Sequence, residues 1–206
     1  MSDRFNLPLV LDGSHVRALV VGAGAVATRK IIALREGGAT VRVRAPSVSA
    51  DLAQRAALDE NVLIERREFD DSAIADATVV VAATNDPAVN ARVAAAARDA
   101  GRLVLVADAP TEGNCVMPAV HRSGDLMVAV TSGGVPRAST RVRDAIARRL
   151  DHRYGVAIAG LIRLRQRLLA ADDRVAWQSA AKALLADDFC ESVESGAFLE
   201  RLATWQ

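Results

Sequence analysis

The sequence predicts an α/β fold in which a parallel β-sheet lies beneath helices. Strand-like and helix-like segments alternate up to about residue 110, the order expected of a doubly wound sheet. Hydrophobic residues make up 51% of the chain and aromatic residues only 3%. A core of Val, Ala and Leu is typical of buried parallel strands. A glycine-rich turn after the first strand then points to a ligand at the carboxyl ends of the strands.

The elements of this first region follow from hydrophobic spacing. The predicted strands cover residues 16–21, 40–45, 62–66, 77–83 and 103–107. A helix is predicted over residues 25–36, where apolar residues recur at helical spacing, and it ends at Gly37-Gly38.

The pattern changes near residues 109–113. One further apolar strand is predicted at residues 126–130, followed by an arginine-rich helix from about 137 to 150 and by helices throughout the remainder. The sequence therefore predicts a parallel-sheet domain over residues 1–110, a small α+β region over 111–150 and an α-helical C-terminal domain over 151–206.

The turn at residues 22–27 has the form G-x-G-x-x-A. Gly22 permits a tight turn, Gly24 lets backbone amides approach a pyrophosphate, and Ala27 keeps the helix close to the sheet. The same pattern also occurs in strand-to-helix turns that bind nothing. Because an apolar strand precedes the turn and a helix follows it, we favour a dinucleotide site that includes Gly22 and Gly24.

The ends of two other strands bear on this cofactor. Ala83, Thr84 and Asn85 follow the fourth strand, where small and polar residues suit a ribose or nicotinamide, although Asn85-Asp86-Pro87 also fits a helix cap. The second strand ends at Arg44 without the acid that often binds the ribose of NAD. Arg44 could accept the 2′-phosphate of NADP or be a solvated arginine, so the residues leave NAD and NADP open.

Asp108 is the candidate catalytic residue. It follows the apolar fifth strand, where a carboxylate in a partly desolvated cleft could act as a general acid or base. The alternative is a turn-initiating Asp before Ala109-Pro110. Farther along, Arg137 and Arg141 share one helix face that would suit a polycarboxylate, although most such faces are simply solvated.

Composition excludes several other classes. Lys and Arg (26) nearly balance Asp and Glu (25), which argues against a nucleic-acid partner. The two cysteines and three histidines have no metal-ligand spacing, so no metal site is predicted. No apolar run has membrane-spanning length and the first residues lack the pattern of a signal peptide. A cytoplasmic location without membrane association is the expectation.

Several short segments follow one another along the chain, namely VGAGAVATRK (21–30), AATND (82–86), VN (89–90), VADAP (106–110), MPA (117–119) and LMVAVTSGG (126–134). In this order they resemble one family, the precorrin-2 dehydrogenase module of siroheme synthases. The resemblance covers nearly the whole chain. It implies a Rossmann domain, a central dimerisation region at 111–150 and a helical C-terminal domain, assembled as a homodimer.

The resemblance also implies an activity, which is NAD-dependent oxidation of precorrin-2 to sirohydrochlorin on the way to siroheme or cobalamin. In some members, insertion of a metal ion into sirohydrochlorin follows. The metal substrate of this chelatase reaction is Fe²⁺ or Co²⁺. It assigns NAD contacts to Ala25, Val26, Pro46 and Ser47, and favours NAD despite Arg44. Asp108 matches the catalytic aspartate, and Ser132 matches a serine near the active site.

The sequence departs from the family pattern at two places. Leu105 stands where Asn is common, and Gly134-Val135-Pro136 lacks the usual Ser and is one residue short. Two alternatives stay open at this point. One is metal chelation with Asp108 or His121 accepting pyrrole protons, and the other is a non-catalytic sensor that binds a dinucleotide.

Overall fold

The computed structural model describes residues 7–205 and divides into two compact units. The first unit ends at Met117 and the second begins at Pro118. The assignment of three functional regions, including dimerisation, stays a prediction.

The first unit is built on a five-stranded parallel sheet with the order β3-β2-β1-β4-β5. Its strands are β1 (Arg17–Val21), β2 (Thr40–Arg44), β3 (Val62–Glu65), β4 (Val79–Ala82) and β5 (Leu103–Val106). Its α-helices are α1 (Ala25–Glu36), α2 (Ala50–Ala57) and α3 (Pro87–Asp99). The predicted α/β fold is confirmed, with strands slightly shorter than expected.

The register aligns the carboxyl ends of the strands at one edge of the sheet. Val21 pairs with Arg44 on one side and with Ala82 on the other, and Ala82 pairs with Val106. The loops that follow β1, β2, β4 and β5 therefore begin close together. This edge is where a doubly wound sheet binds its ligand.

Two apolar layers cover the faces of this sheet. Val20, Val41 and Val43 pack on one face with residues of α1 and α2. Leu19 and Val21, which alternate with Val20 along β1, pack on the other face with α3. Period-two alternation inside one buried strand places side chains in both layers. The core of Val, Ala and Leu that composition predicted is the one observed.

The second unit combines a two-stranded hairpin with helices. Antiparallel β6 (Ala119–Ser123) and β7 (Leu126–Val130) precede the helices. The helices are α4 (Pro136–Arg149), α5 (His152–Ala170), α6 (Arg174–Leu184), α7 (Phe189–Ser195) and α8 (Ala197–Ala203). Only β7 was predicted as a strand. The earlier strand escaped notice because its sequence, AVHRS, is too polar to resemble a buried strand.

Burial is uneven within the second unit. Tyr154, Leu184 and Phe198 belong to an apolar core formed by α5, α6, α7 and α8. Within β6, β7 and α4, which the structure describes completely, Ser123 and Ser139 alone are buried. The hairpin and α4 thus hold little core of their own.

Across residues 7–205, none of the helices combines the length and apolar character needed to cross a membrane.

Candidate functional site

The glycine turn connects β1 to α1 and packs against the residue that follows β4. Gly22 has φ = +111°, and a Cβ added there would lie 2.3 Å from the carbonyl oxygen of Ala83. A side chain is therefore excluded both by the backbone conformation and by the neighbouring strand. This contact brings the turn directly against the start of the Ala83–Asn85 loop.

Gly24 has open space beside it. Apart from its chain neighbours, no atom in the described part of the chain lies within 4 Å of the Cβ that another residue would carry. Gly24 is the N-cap of α1 and supplies no side-chain cap, and Ala25 and Val26 beside it are exposed. The first N–H groups of α1 can therefore receive an anion, which the helix dipole also favours.

The segment after β2 lies against this turn. The backbone N–H of Ser49 donates to the carbonyl of Ala23 over 3.3 Å, which holds the start of α2 beside the glycines. Pro46 and Ser47, which the resemblance assigned to the cofactor, are exposed on this connection. The structure thus brings the glycine turn and the Pro46-Ser47 loop to one place.

Arg44 is buried, with only 1% of its side chain exposed. Its Nε and Nη2 donate to Glu65 over 2.9 and 2.6 Å, and its Nη1 donates to Asp70 over 2.5 Å. The interpretation of Arg44 as a solvated arginine is therefore wrong. Burial opposes ionisation of Glu65, but the hydrogen bond and charge of Arg44 outweigh it and hold the pKa of Glu65 below its ordinary value.

The loop after β4 is organised by Asn90, a residue of α3 that is 1% exposed. The Asn90 Oδ1 accepts from the backbone N–H of Thr84 over 3.0 Å, and its Nδ2 donates to the carbonyl of Thr84 over 3.2 Å. Asp86 caps α3 by accepting from Ala88 N, so the helix-cap interpretation of this loop is confirmed. Asn85 is exposed beside it.

Asp108 lies in the loop after β5. Its Oδ1 accepts from Asn90 Nδ2 over 3.0 Å, and its side chain is exposed. The expectation of a partly desolvated carboxylate is therefore wrong for the chain as described. The loop then returns along β5, where a Cβ on Gly113 would lie 2.6 Å from the Val104 carbonyl.

Sequence reasoning did not propose Asn90 as a site residue, although it belongs to the motifs that carry the resemblance. The available signal was its position on α3. Asn90 shares the helix face of Val93, Ala94 and Ala97, which are all buried. An amide on an otherwise buried apolar face needs partners for its polar atoms, and those partners here are Thr84 and Asp108.

The remaining predicted residues belong to the second unit. Ser132 Oγ donates to the Val135 carbonyl over 2.6 Å and lies 2.7 Å from Ser139 Oγ. Arg137 and Arg141 are exposed on α4, and their side chains have no hydrogen-bond or ion-pair partner within residues 7–205. Their guanidinium groups can therefore receive an anionic ligand.

His121 and Cys115 offer little for metal or nucleophilic chemistry. His121 Nε2 lies 2.6 Å from the Leu150 carbonyl, so this nitrogen donates a proton and does not accept one. Burial raises the pKa of Cys115 to about 11, which keeps its thiol protonated near neutral pH. Among the described residues, no group of three or more His, Cys, Asp or Glu side chains could hold a metal ion.

A family model described as "Putative NAD(P)-binding" matches residues 9–119, more than half of the chain. The chain belongs to this NAD(P)-binding family.

This NAD(P)-binding protein is also similar to siroheme synthases. It is 35% identical to the siroheme synthase of Saccharophagus degradans over 162 residues, which are 78% of this chain and 35% of the relative. It is 36% identical to the siroheme synthase of Ectopseudomonas mendocina over 209 aligned residues, which cover 96% of this chain and 44% of the relative. The chain thus spans less than half the length of these relatives.

A solved structure matches this NAD(P)-binding protein along nearly its whole length. It is described as SirC, precorrin-2 dehydrogenase, and has 26% sequence identity and a TM-score of 0.77. The match covers 96% of this chain and 99% of that chain. The resemblance to the dehydrogenase module of siroheme synthases is therefore confirmed, as is the predicted fold.

The residues of this NAD(P)-binding chain fit a dinucleotide. The space beside Gly24 and the uncapped start of α1 would hold the pyrophosphate. Among the residues predicted to contact the cofactor, Ala25 and Val26 begin α1. The others lie on loops that start at the same sheet edge; they are Pro46, Ser47, Ala83, Thr84 and Asn85. A nicotinamide dinucleotide cofactor follows from the family, while the individual contacts stay predictions.

Proposed function

We propose that this protein is an NAD-dependent dehydrogenase that oxidises precorrin-2 to sirohydrochlorin. The full-length likeness to SirC supports this reaction. The observation that carries it is Asp108, a carboxylate anchored by buried Asn90 at the sheet edge where the glycine turn also begins. An acid–base group placed beside a nicotinamide site is what this oxidation requires.

The reaction removes one hydride and one proton from the reduced tetrapyrrole. The hydride acceptor would be supplied by NAD, held at the glycine turn of Gly22 and Gly24. Asp108 accepts the proton at Oδ2, because its Oδ1 already accepts from Asn90. The exposed position of Asp108 leaves Oδ2 open to a large substrate.

We place NAD ahead of NADP because of the Arg44 environment. An arginine that binds a 2′-phosphate needs a free guanidinium. The guanidinium of Arg44 is buried and donates to Glu65 and Asp70, whose negative charges would repel a phosphate. Arg44 then contributes to the cofactor site by holding the end of β2, with Pro46 and Ser47 just beyond.

A homodimer through residues 111–150 also belongs to this proposal. A two-stranded hairpin has marginal stability without further packing, and β6, β7 and α4 bury little of their own surface. Val135 is 57% exposed and Val142 is 48% exposed, leaving apolar surface for a second copy.

Arg137 and Arg141 would bind carboxylates of the tetrapyrrole, with Ser132 shaping the adjacent loop.

We place this reaction in the cytoplasm, consistent with two free cysteines.

An anaerobic assay tests the activity directly. Precorrin-2 is supplied with NAD or with NADP, and both the reduced nucleotide and the tetrapyrrole spectrum are recorded. We expect equal formation of NADH and sirohydrochlorin, with much slower turnover of NADP. Tight NAD binding without turnover would instead identify a sensor. A parallel reaction of sirohydrochlorin with Fe²⁺ or Co²⁺ and no nucleotide measures chelation separately.

Light scattering of the purified protein measures its mass in solution. We expect twice the 21.8 kDa of the chain. A monomer at assay concentration would contradict the proposed dimer and leave the dehydrogenase assignment intact.

A further inference from the structure

The geometry points to Asn90 as the positioning residue of Asp108, which fixes one carboxylate oxygen and leaves the other for the substrate. This inference rests on the proposed function, because it concerns the group that takes the substrate proton. It goes beyond that function by assigning a role to a residue that would contact neither the cofactor nor the tetrapyrrole.

The orientation of the Asn90 amide is determined by the backbone of Thr84. A backbone N–H can only donate, so the Asn90 atom 3.0 Å from Thr84 N must be the oxygen. A carbonyl can only accept, so the Asn90 atom 3.2 Å from Thr84 O must be the nitrogen. The two contacts agree, and they leave a single N–H of Nδ2 for a third partner.

That third partner is Asp108, whose Oδ1 lies 3.0 Å from Nδ2. Since the amide donates, Oδ1 must accept, and a proton on the carboxyl group belongs on Oδ2. The Thr84 hydroxyl adds a contact of 2.8 Å to Asn90 Oδ1. Both amide protons and the amide oxygen are thus in use, as expected for a polar side chain that is 1% exposed.

The position of Asp108 in the fold explains why its side chain needs the hydrogen bond from Asn90. Asp108 is exposed and lies outside β5, so its own strand restrains only the backbone nearby. Asn90 is anchored in α3, whose apolar face is buried against the sheet. The hydrogen bond from Asn90 therefore restrains the exposed carboxylate of Asp108. The orientation of a reacting group strongly affects the reaction rate.

The same side chain connects the predicted cofactor loop to the predicted proton acceptor. Thr84 belongs to the loop assigned to the dinucleotide, and Asp108 belongs to the loop assigned to the substrate. Asn90 contacts both. Loss of its donor toward Asp108 is therefore expected to lower kcat, whereas loss of its contacts to Thr84 would be felt in NAD affinity.

The first test is the side-chain amide resonance of Asn90 in the full-length protein, measured without substrate. We expect Asp108→Ala to shift one Nδ2 proton and to accelerate its exchange with water. The amide of Asn61, in the same unit, serves as the control and should not move. Because Asp108 is exposed, this variant is expected to fold. An unmoved Asn90 resonance would overturn the inference, whatever the activity.

The second test uses Asn90→Asp, which keeps the size of the side chain and an oxygen for Thr84 N. It replaces Nδ2, the donor toward both Asp108 and the Thr84 carbonyl, by an oxygen. We expect kcat with precorrin-2 to fall about 10- to 100-fold, and NAD affinity measured by calorimetry to fall by a smaller factor, because the Thr84 N–H keeps its acceptor. Asn61→Ala is the matched variant and should retain full activity. Unchanged kcat, or a loss confined to NAD affinity, would contradict the positioning role.

The two arms separate this inference from the proposed function. If wild-type protein binds NAD but forms no NADH from precorrin-2, the proposed function fails, while the resonance of Asn90 still reports whether it binds Asp108. If wild-type protein turns over and Asn90→Asp does so equally well, the positioning role alone fails.

Discussion

The Arg44 guanidinium lies 2.6 Å from the Glu65 carboxylate at the end of neighbouring parallel strands, with 1% and 19% of the two side chains exposed. The pair stands where a dinucleotide-binding sheet often offers a free acid to NAD. Here the acid comes from β3 and is already occupied by arginine. At this edge of the sheet, the charges of Arg44 and Glu65 neutralise each other, and Glu65 is not free to contact the ribose of a dinucleotide.

Glu65→Gln should shift cofactor preference toward NADP. The change removes one negative charge and, among the residues that the structure describes, leaves Asp70 as the one charged partner of Arg44. We expect the ratio of NADP to NAD affinity to rise roughly 10-fold, equal to about 1.4 kcal/mol. Calorimetric titration with each nucleotide measures this ratio. Glu60→Gln, an exposed change on the same unit, is the control. An unchanged ratio would remove Glu65 from the account of specificity.

Arg44→Met should destabilise the first unit in a manner that depends on pH. Removing one member of a buried ion pair costs about 3–5 kcal/mol when the partner stays charged. The folded-state pKa of Glu65 lies below the ordinary 4.5, so the stabilisation by Arg44 is complete above that pH. It is lost as pH falls through the lowered value.

Urea unfolding of wild type and Arg44→Met measures this difference. The measurements run from about pH 3 to about pH 7, a range that includes the ordinary carboxyl pKa of about 4. The gap between the two stabilities should be widest near neutral pH and should narrow under acid. A gap that stays constant over the whole range would show that packing of the arginine stem, not its charge, stabilises β2.

Much of the fold was predictable because hydrophobic patterns are local. The run of residues 103–107 becomes β5 (Leu103–Val106), and α1 begins and ends where its spacing predicted. By contrast, β6 contains His121 and Arg122 and is recognisable only through its pairing with β7. Pairing joins residues distant along the chain, so composition alone does not reveal it.

In the candidate site as well, local features could be predicted from the sequence, whereas features that depend on distant residues could not. The glycine turn could be predicted because the backbone at Gly22 has φ = +111°, a local conformation that favours glycine. The fate of Arg44 could not, because its partners Glu65 and Asp70 come from other elements. Asp108 was placed correctly after β5, yet its exposure and its bond to Asn90 depend on how α3 packs. Burial and partnership of charged groups are properties of the folded chain.

The two glycines of the turn should respond differently to alanine. Gly22→Ala places a Cβ 2.3 Å from the Ala83 carbonyl at φ = +111°, so we expect a loss of about 2 kcal/mol or more in the free energy of unfolding. Gly24→Ala meets open space and has φ = −85°, so stability should change by less than about 1 kcal/mol. NAD affinity should nevertheless fall, because the methyl group occupies the predicted pyrophosphate space.

Gly101→Ala separates backbone strain from the clash at Gly22. Gly101 has φ = +67° but no atom of the described chain close to its missing Cβ, apart from its neighbours. Its substitution should cost about 1 kcal/mol, less than that at Gly22, and leave NAD binding unchanged. Denaturation curves and calorimetry of all three variants provide the comparison. Equal NAD affinity in Gly24→Ala and wild type would move the pyrophosphate away from this turn.

Asp108→Ala should slow formation of NADH from precorrin-2 by orders of magnitude while leaving NAD affinity nearly intact. The carboxylate contacts Asn90 and not the glycine turn, so its removal takes away the proton acceptor without altering the start of α1. We expect a loss of roughly 10²- to 10⁴-fold, the usual contribution of a positioned acid or base. Asp99→Ala, an exposed change at the end of α3, is the matched control. Single-turnover assays with calorimetric NAD titration distinguish the outcomes, and full turnover by Asp108→Ala would assign proton removal to another group or to water.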